Sequence, residues 1–154
     1  MPINKDASGR RWIEAEVEVP GTPETVWDAL TNPEKSRGYY YGTDILSDWQ
    51  PGSRWTSESG DELYLDGELL EVDPPRRIVQ TFHVAIEEPA ASDPPSRVTW
   101  EITPVTDGTT RVRLIHEGMG QATRDYVDGG WEHILSGLKR VVEQREEPAA
   151  AEPR

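Results

Sequence analysis

The sequence predicts an α+β domain in which an antiparallel sheet packs against a long C-terminal helix. Residues 12–19 alternate between apolar and mainly acidic side chains, the pattern of a half-buried strand. Residues 43–117 continue this period-two alternation between closely spaced turn residues, which indicates an antiparallel meander. After residue 120 the apolar residues recur at helical spacing. Only the sheet offers a surface large enough to bury the resulting apolar stripe.

Two short helices are predicted directly after the first strand. Thr22 is a favourable N-cap and Pro23 suits the first helical position. The Asn-Pro pair at 32–33 ends this helix and begins a second one. Within the meander, the apolar parity changes near Leu69, which predicts a bulge, and Thr-Asp-Gly-Thr at 106–109 predicts a hairpin turn.

The C-terminal helix carries one continuous apolar stripe, formed by Trp131, Ile134, Leu135, Leu138, Val141 and Val142. The glycine pair at 129–130 precedes the stripe and weakens helix propensity there, which predicts either a break in the helix or its start. We therefore expect a single domain over residues 12–145. A flexible N-terminus at 1–11 and a disordered tail at 146–154 are expected to flank it.

The composition excludes several functional classes. The 154 residues include 29 acidic and 16 basic side chains, and the net charge of −13 disfavours nucleic acid and anionic membranes as partners. Because cysteine is absent, disulfides, thiol catalysis and thiolate zinc sites are excluded. No signal peptide and no apolar stretch of about 18 residues is visible, so we expect a cytoplasmic protein without a membrane span.

No motif of covalent catalysis or nucleotide binding is present. Gly-x-Ser-x-Gly, the P-loop and Gly-x-Gly-x-x-Gly are all missing. The three histidines are not spaced as metal ligands. We therefore assign no catalytic residue and expect neither a cofactor nor a metal.

Three segments carry a family resemblance. Residues 22–35 contain an aliphatic-Trp pair before an Asn-Pro break, residues 66–79 combine a glycine, a strand and a proline turn, and Gly-Gly-Trp at 129–131 opens the last helix. This order resembles the SRPBCC, or START-like, superfamily, and in particular its branch related to the activator of the ninety-kilodalton heat-shock protein's ATPase. The resemblance spans roughly residues 12–143. It implies the helix-grip fold, a curved antiparallel sheet wrapped around a long C-terminal helix.

The resemblance also implies a cavity between the sheet and the last helix, which relatives use for lipids, polyketides and other apolar molecules. Such pockets are mostly apolar with few polar anchors. The candidate ligand-binding residues are Tyr40, Trp55, Phe82, Trp100, His116, Trp131 and Leu135. For any single one of these aromatic rings, simple core packing is the more common role. His116 shares the apolar face of its strand, where a hydrogen-bonded interior histidine is the plain alternative to a ligand contact.

Two other functions stay open beside the binding of a small hydrophobic or amphipathic molecule. The first is an enzyme of the cyclase or hydrolase kind, with His116 as general acid or base in the same cavity. The second is a chaperone-associated or regulatory module that meets a basic partner through its acidic surface. Relatives that act on the chaperone generally carry a further domain, for which this chain is too short, so a chaperone partner is not expected. A homodimer stays open.

Overall fold

The sheet dominates the computed structural model, which describes residues 3–5 and 11–146. Its strands are β1 (Ile3–Lys5), β2 (Arg11–Pro20), β3 (Asp44–Ser47), β4 (Arg54–Ser59), β5 (Glu62–Asp73), β6 (Arg77–Val84), β7 (Ser96–Thr106) and β8 (Thr109–Glu117). Within the described residues these eight strands pair antiparallel in the order β1-β2-β8-β7-β6-β5-β4-β3. The sheet is curved and does not close into a barrel. The predicted bulge is found between Leu69 and Glu71.

Helical segments occupy the β2–β3 connection, the β6–β7 connection, the stretch after β8 and the C-terminal end. They are α1 (Pro23–Thr31), α2 (Pro33–Ser36), α3 (Gln121–Tyr126), α4 (Gly130–Glu146) and a 3-10 turn at Ala90–Ser92. The predicted cap is present, since the Thr22 side chain accepts a hydrogen bond from the backbone N–H of Thr25. Asn32, predicted only as a helix break, caps α2 by accepting from the backbone N–H of Glu34. No helix in the described part of the chain is long and apolar enough to cross a bilayer.

The apolar stripe of α4 is buried against the sheet, as the sequence predicts. Trp131, Ile134, Leu135, Leu138 and Val142 all belong to the central core, and Val141 is partly buried beside them. From the sheet, inward residues such as Val112 and Leu114 on β8 complete this core. The α+β helix-grip architecture predicted from the sequence is therefore confirmed.

Besides the 3-10 turn, two elements were not predicted. β1 falls within the segment 1–11 and pairs antiparallel with the start of β2, Ile3 opposite Ile13. A strand of three residues is too short to produce a readable alternation. The helix α3 occupies the connection that follows β8. The predicted tail at 146–154 lies outside the described residues, apart from Glu146 at the end of α4.

Candidate ligand-binding site

A cavity of about 360 Å³ lies between α4, α3 and the strands β4, β5 and β6. Its apolar walls are Leu65, Phe82, Val127, Trp131 and Ile134. These side chains come from β5, β6, the α3–α4 connection and α4, so the cavity lies between the sheet and the last helix. It is distinct from a void of about 20 Å³ deeper in the core.

Four of the five tyrosines line the same cavity: Tyr40, Tyr41, Tyr64 and Tyr126. They extend from the interior to the surface, since Tyr40 is 8% exposed and Tyr41 is 59% exposed. Burial raises the pKa of Tyr40, Tyr41 and Tyr126 above the ordinary phenol value. These three hydroxyls are therefore protonated at neutral pH.

Two buried hydroxyls hold the loop that carries Tyr40 and Tyr41. Ser57 Oγ and Thr43 Oγ1 lie 2.8 Å apart, and Thr43 Oγ1 donates to the carbonyl oxygen of Tyr40 at 2.7 Å. Tyr41 follows in the left-handed region with φ 55°. A bulky side chain rarely adopts this conformation, and such strained positions concentrate at functional sites. The Tyr41 ring stacks on the exposed ring of His133 with the centroids 4.6 Å apart, which fixes it at the cavity mouth.

Trp131 is the centre of the aromatic wall. Its ring meets Tyr40 and Trp100 edge to face, with centroid separations of 6.1 and 5.8 Å, and it lies 5.9 Å from Phe82. Edge-to-face pairs at these distances are favourable beyond the area that they bury. The base of the cavity is therefore a rigid aromatic surface.

His116 is fully buried behind this wall, and both of its ring nitrogens are engaged. Trp131 Nε1 can only donate, so Nδ1 of His116 is the acceptor at 3.0 Å. The ring proton therefore resides on Nε2, which donates to Ser96 Oγ at 2.7 Å. Ser96 Oγ in turn donates to the Phe82 carbonyl at 3.2 Å. Burial lowers the pKa of His116 to about 3, so the ring stays neutral and positions Trp131.

The predicted site residues divide into two groups. Tyr40, Phe82 and Trp131 line the cavity. The other four, Trp55, Trp100, His116 and Leu135, lie in the packed interior outside its lining. The sequence analysis missed Tyr41, Tyr64 and Tyr126, and the consecutive tyrosines at 39–41 were the only local signal.

A second polar cluster lies on the outer side of β5 and β6. His83 Nδ1 lies 2.8 Å from Asp66 Oδ1, and His83 Nε2 lies 2.9 Å from the Ala91 carbonyl oxygen. Because both partners are acceptors, both ring nitrogens must carry protons to satisfy this geometry. The Ala91 carbonyl first, and then the Asp66 carboxylate, raise the pKa of His83. The charged ring thus attaches the 3-10 turn to the sheet.

The contacts of protonated His83 with Asp66 and the Ala91 carbonyl are expected to make stability depend on pH. Because the pKa of folded His83 lies above its ordinary value of 6.5, its contribution is full below about pH 6.5 and is lost as the pH rises through the raised pKa. Thermal unfolding of wild type and His83→Gln should differ most near pH 6 and converge in alkaline buffer. A difference in Tm that stays constant across this range would contradict the doubly protonated ring.

A helix-grip domain with an aromatic cavity under its last helix defines the structural class. Residues 20–143 match the family described as Activator of Hsp90 ATPase homolog 1-like protein, and the chain belongs to this family. The fold prediction and the branch predicted from the sequence are therefore both confirmed. No curated protein matches the chain significantly.

Solved structures show the same fold. CalU16 from Micromonospora echinospora is 21% identical with a TM-score of 0.70, over 93% of this chain and 83% of that one. MLL2253 from Mesorhizobium loti is 26% identical with a TM-score of 0.73, over 89% and 100%. DynU16, a protein of the dynemicin biosynthetic locus, is 20% identical with a TM-score of 0.71, over 87% and 48%. This chain is similar to all three in architecture.

Proposed function

We propose that the protein binds a small hydrophobic or amphipathic molecule in the cavity beneath α3 and α4. The observation that carries this proposal is the unfilled volume of about 360 Å³ next to Phe82 and Trp131. Protein interiors are close-packed, and voids much larger than a water molecule are few. Ligand pockets typically begin at roughly 300 Å³ and are lined mainly by apolar and aromatic side chains.

The aromatic lining supports a ligand with an apolar body, whether lipid-like, polyketide-like or aromatic. The rings of Tyr40, Phe82 and Trp131 line the cavity and are held against one another, so they can pack on planar molecules at little entropic cost. The place of the similar DynU16 in a biosynthetic locus agrees with small-molecule chemistry in this fold.

Binding fits the lining better than catalysis does. Asp128 is the only charged side chain among the described residues that line the cavity. His116, the candidate general acid or base, contacts Trp131 and Ser96 through its two nitrogens and lies outside the lining. A base must reach the proton that it removes directly or through one water. The cavity therefore lends itself to holding a molecule and shielding it from water.

Filling the cavity with a larger side chain tests this proposal. N-phenyl-1-naphthylamine, an uncharged fluorescent dye, should bind the wild type and gain emission. Val127→Phe adds a ring inside the lining and should weaken dye binding by about tenfold or more, since the ligand must then displace a packed side chain. Fluorescence titration gives the affinity, and thermal unfolding verifies that the variant is folded.

Val105→Phe is the matched control. Val105 is exposed on β7 and lies outside the cavity lining, so the same substitution should leave the dye affinity within about twofold of wild type. The proposal fails if folded wild-type protein does not bind the dye. It also fails if the two variants lose affinity equally, because the dye would then lie elsewhere.

A further inference from the structure

We infer that the cavity prefers a flat apolar ligand that carries a positively charged amine and disfavours one that carries a carboxylate. This inference rests on the proposed function and adds the charge of the ligand to it. It comes from two features: the electron-rich rings of the lining and the sign of the charges at the mouth.

The tyrosines supply the first feature. Tyr41, Tyr64 and Tyr126 join Tyr40 and Trp131 around one volume, so five electron-rich rings line a cavity large enough for about two fused rings and a short substituent. Ammonium groups are attracted to the faces of such rings, and the attraction grows when water is excluded. An anion would meet the same faces unfavourably.

The charges at the mouth supply the second feature. Among the described lining residues there is no arginine, lysine or histidine, and Asp128 is 70% exposed at the rim. Its partner Arg124, 3.3 Å away, lies outside the lining and offsets part of the Asp128 charge, so the negative charge at the rim is reduced but not replaced by a positive one. Besides burial, Glu87 raises the pKa of Tyr126, which indicates a negative potential there. The net charge of −13 acts in the same direction at long range.

Three probes of matched shape test the inference at pH 7: 1-naphthylmethylamine, 1-naphthylmethanol and 1-naphthoate. Calorimetric titration should rank them amine, alcohol, carboxylate, with the amine about tenfold or more tighter than the carboxylate. Equal affinities, or a preference for the carboxylate, would overturn the inference and leave the proposed function standing. Failure of all three probes to bind would overturn both.

Asp128→Asn separates charge from shape. It should weaken the amine about three- to tenfold and tighten the carboxylate, because the variant also releases Arg124 at the rim, while the alcohol is unchanged. Asp107→Asn is the matched control and removes the same charge from the exposed turn after β7. The start of β7 pairs with Phe82 of the lining, and the length of the strand places Asp107 roughly 30 Å from it. This control should leave all three affinities unchanged. Equal effects of the two variants, or a parallel loss for all probes, would contradict a charge contact at the mouth.

Discussion

Replacing Trp131 with alanine is expected to lower the free energy of unfolding by about 3–5 kcal/mol. The ring is 2% exposed and packs against Tyr40, Phe82 and Trp100, so its removal opens a large void that joins the existing cavity. The loss also leaves Nδ1 of His116 without its donor inside the core. An unsatisfied buried acceptor adds to the cost of the void.

Urea unfolding of wild type and variants measures this loss. Trp131→Phe retains much of the ring but cannot donate to His116, so its loss should fall between wild type and Trp131→Ala. Trp12→Ala, at a partly buried tryptophan near the edge of β2, should cost less than Trp131→Ala. A Trp131→Ala loss below about 0.5 kcal/mol would show that this face of α4 does not pack on the sheet.

Replacing Gly67 with alanine is expected to cost about 3 kcal/mol or more. A Cβ atom there would lie 2.0 Å from the Thr81 carbonyl oxygen and 2.4 Å from Trp55 Nε1. These two atoms are joined by a hydrogen bond of 2.8 Å, so the methyl group would occupy the space of that bond. Neither β6 nor the buried indole can move without disturbing the core.

Gly130→Ala is the matched control for this substitution. A Cβ atom at Gly130 would lie 3.4 Å from Tyr41 Oη, an ordinary contact, and the position opens α4. The change should alter the free energy of unfolding by less than about 1 kcal/mol in either direction. If urea unfolding gives the same small loss of free energy for Gly67→Ala as for Gly130→Ala, the Trp55 indole does not lie against the backbone of Gly67.

The architecture was predictable because period and turn chemistry are local. The stripe from Trp131 to Val142 requires only helical spacing, and the bulge after Leu69 follows from a change of parity along one strand. The structure gives a physical reason for the glycine in the segment 66–79, which carries part of the family resemblance. Its glycine lets the Trp55 indole lie against the backbone and reach Thr81.

The cavity lining was predictable only in part. Strand alternation assigns Tyr64 to the face opposite Leu65, yet both line the cavity. A left-handed backbone conformation places Tyr41 in the lining, and the short helix α3 places Tyr126 there. Neither feature produces a periodic pattern in the sequence. For His116, parity correctly indicated the interior, but the tautomer and its two partners depend on contacts between β7, β8 and α4 that no local pattern encodes.

The location of a bound probe is the most direct measurement of whether the space under α3 and α4 receives a ligand. In NMR spectra of the complex with 1-naphthylmethanol, nuclear Overhauser effects should connect the naphthalene protons to the rings of Tyr40, Phe82 and Trp131. Contacts confined to exposed side chains such as Leu70 and Val105, with the interior resonances unchanged, would contradict a binding cavity and leave the aromatic cluster as core packing.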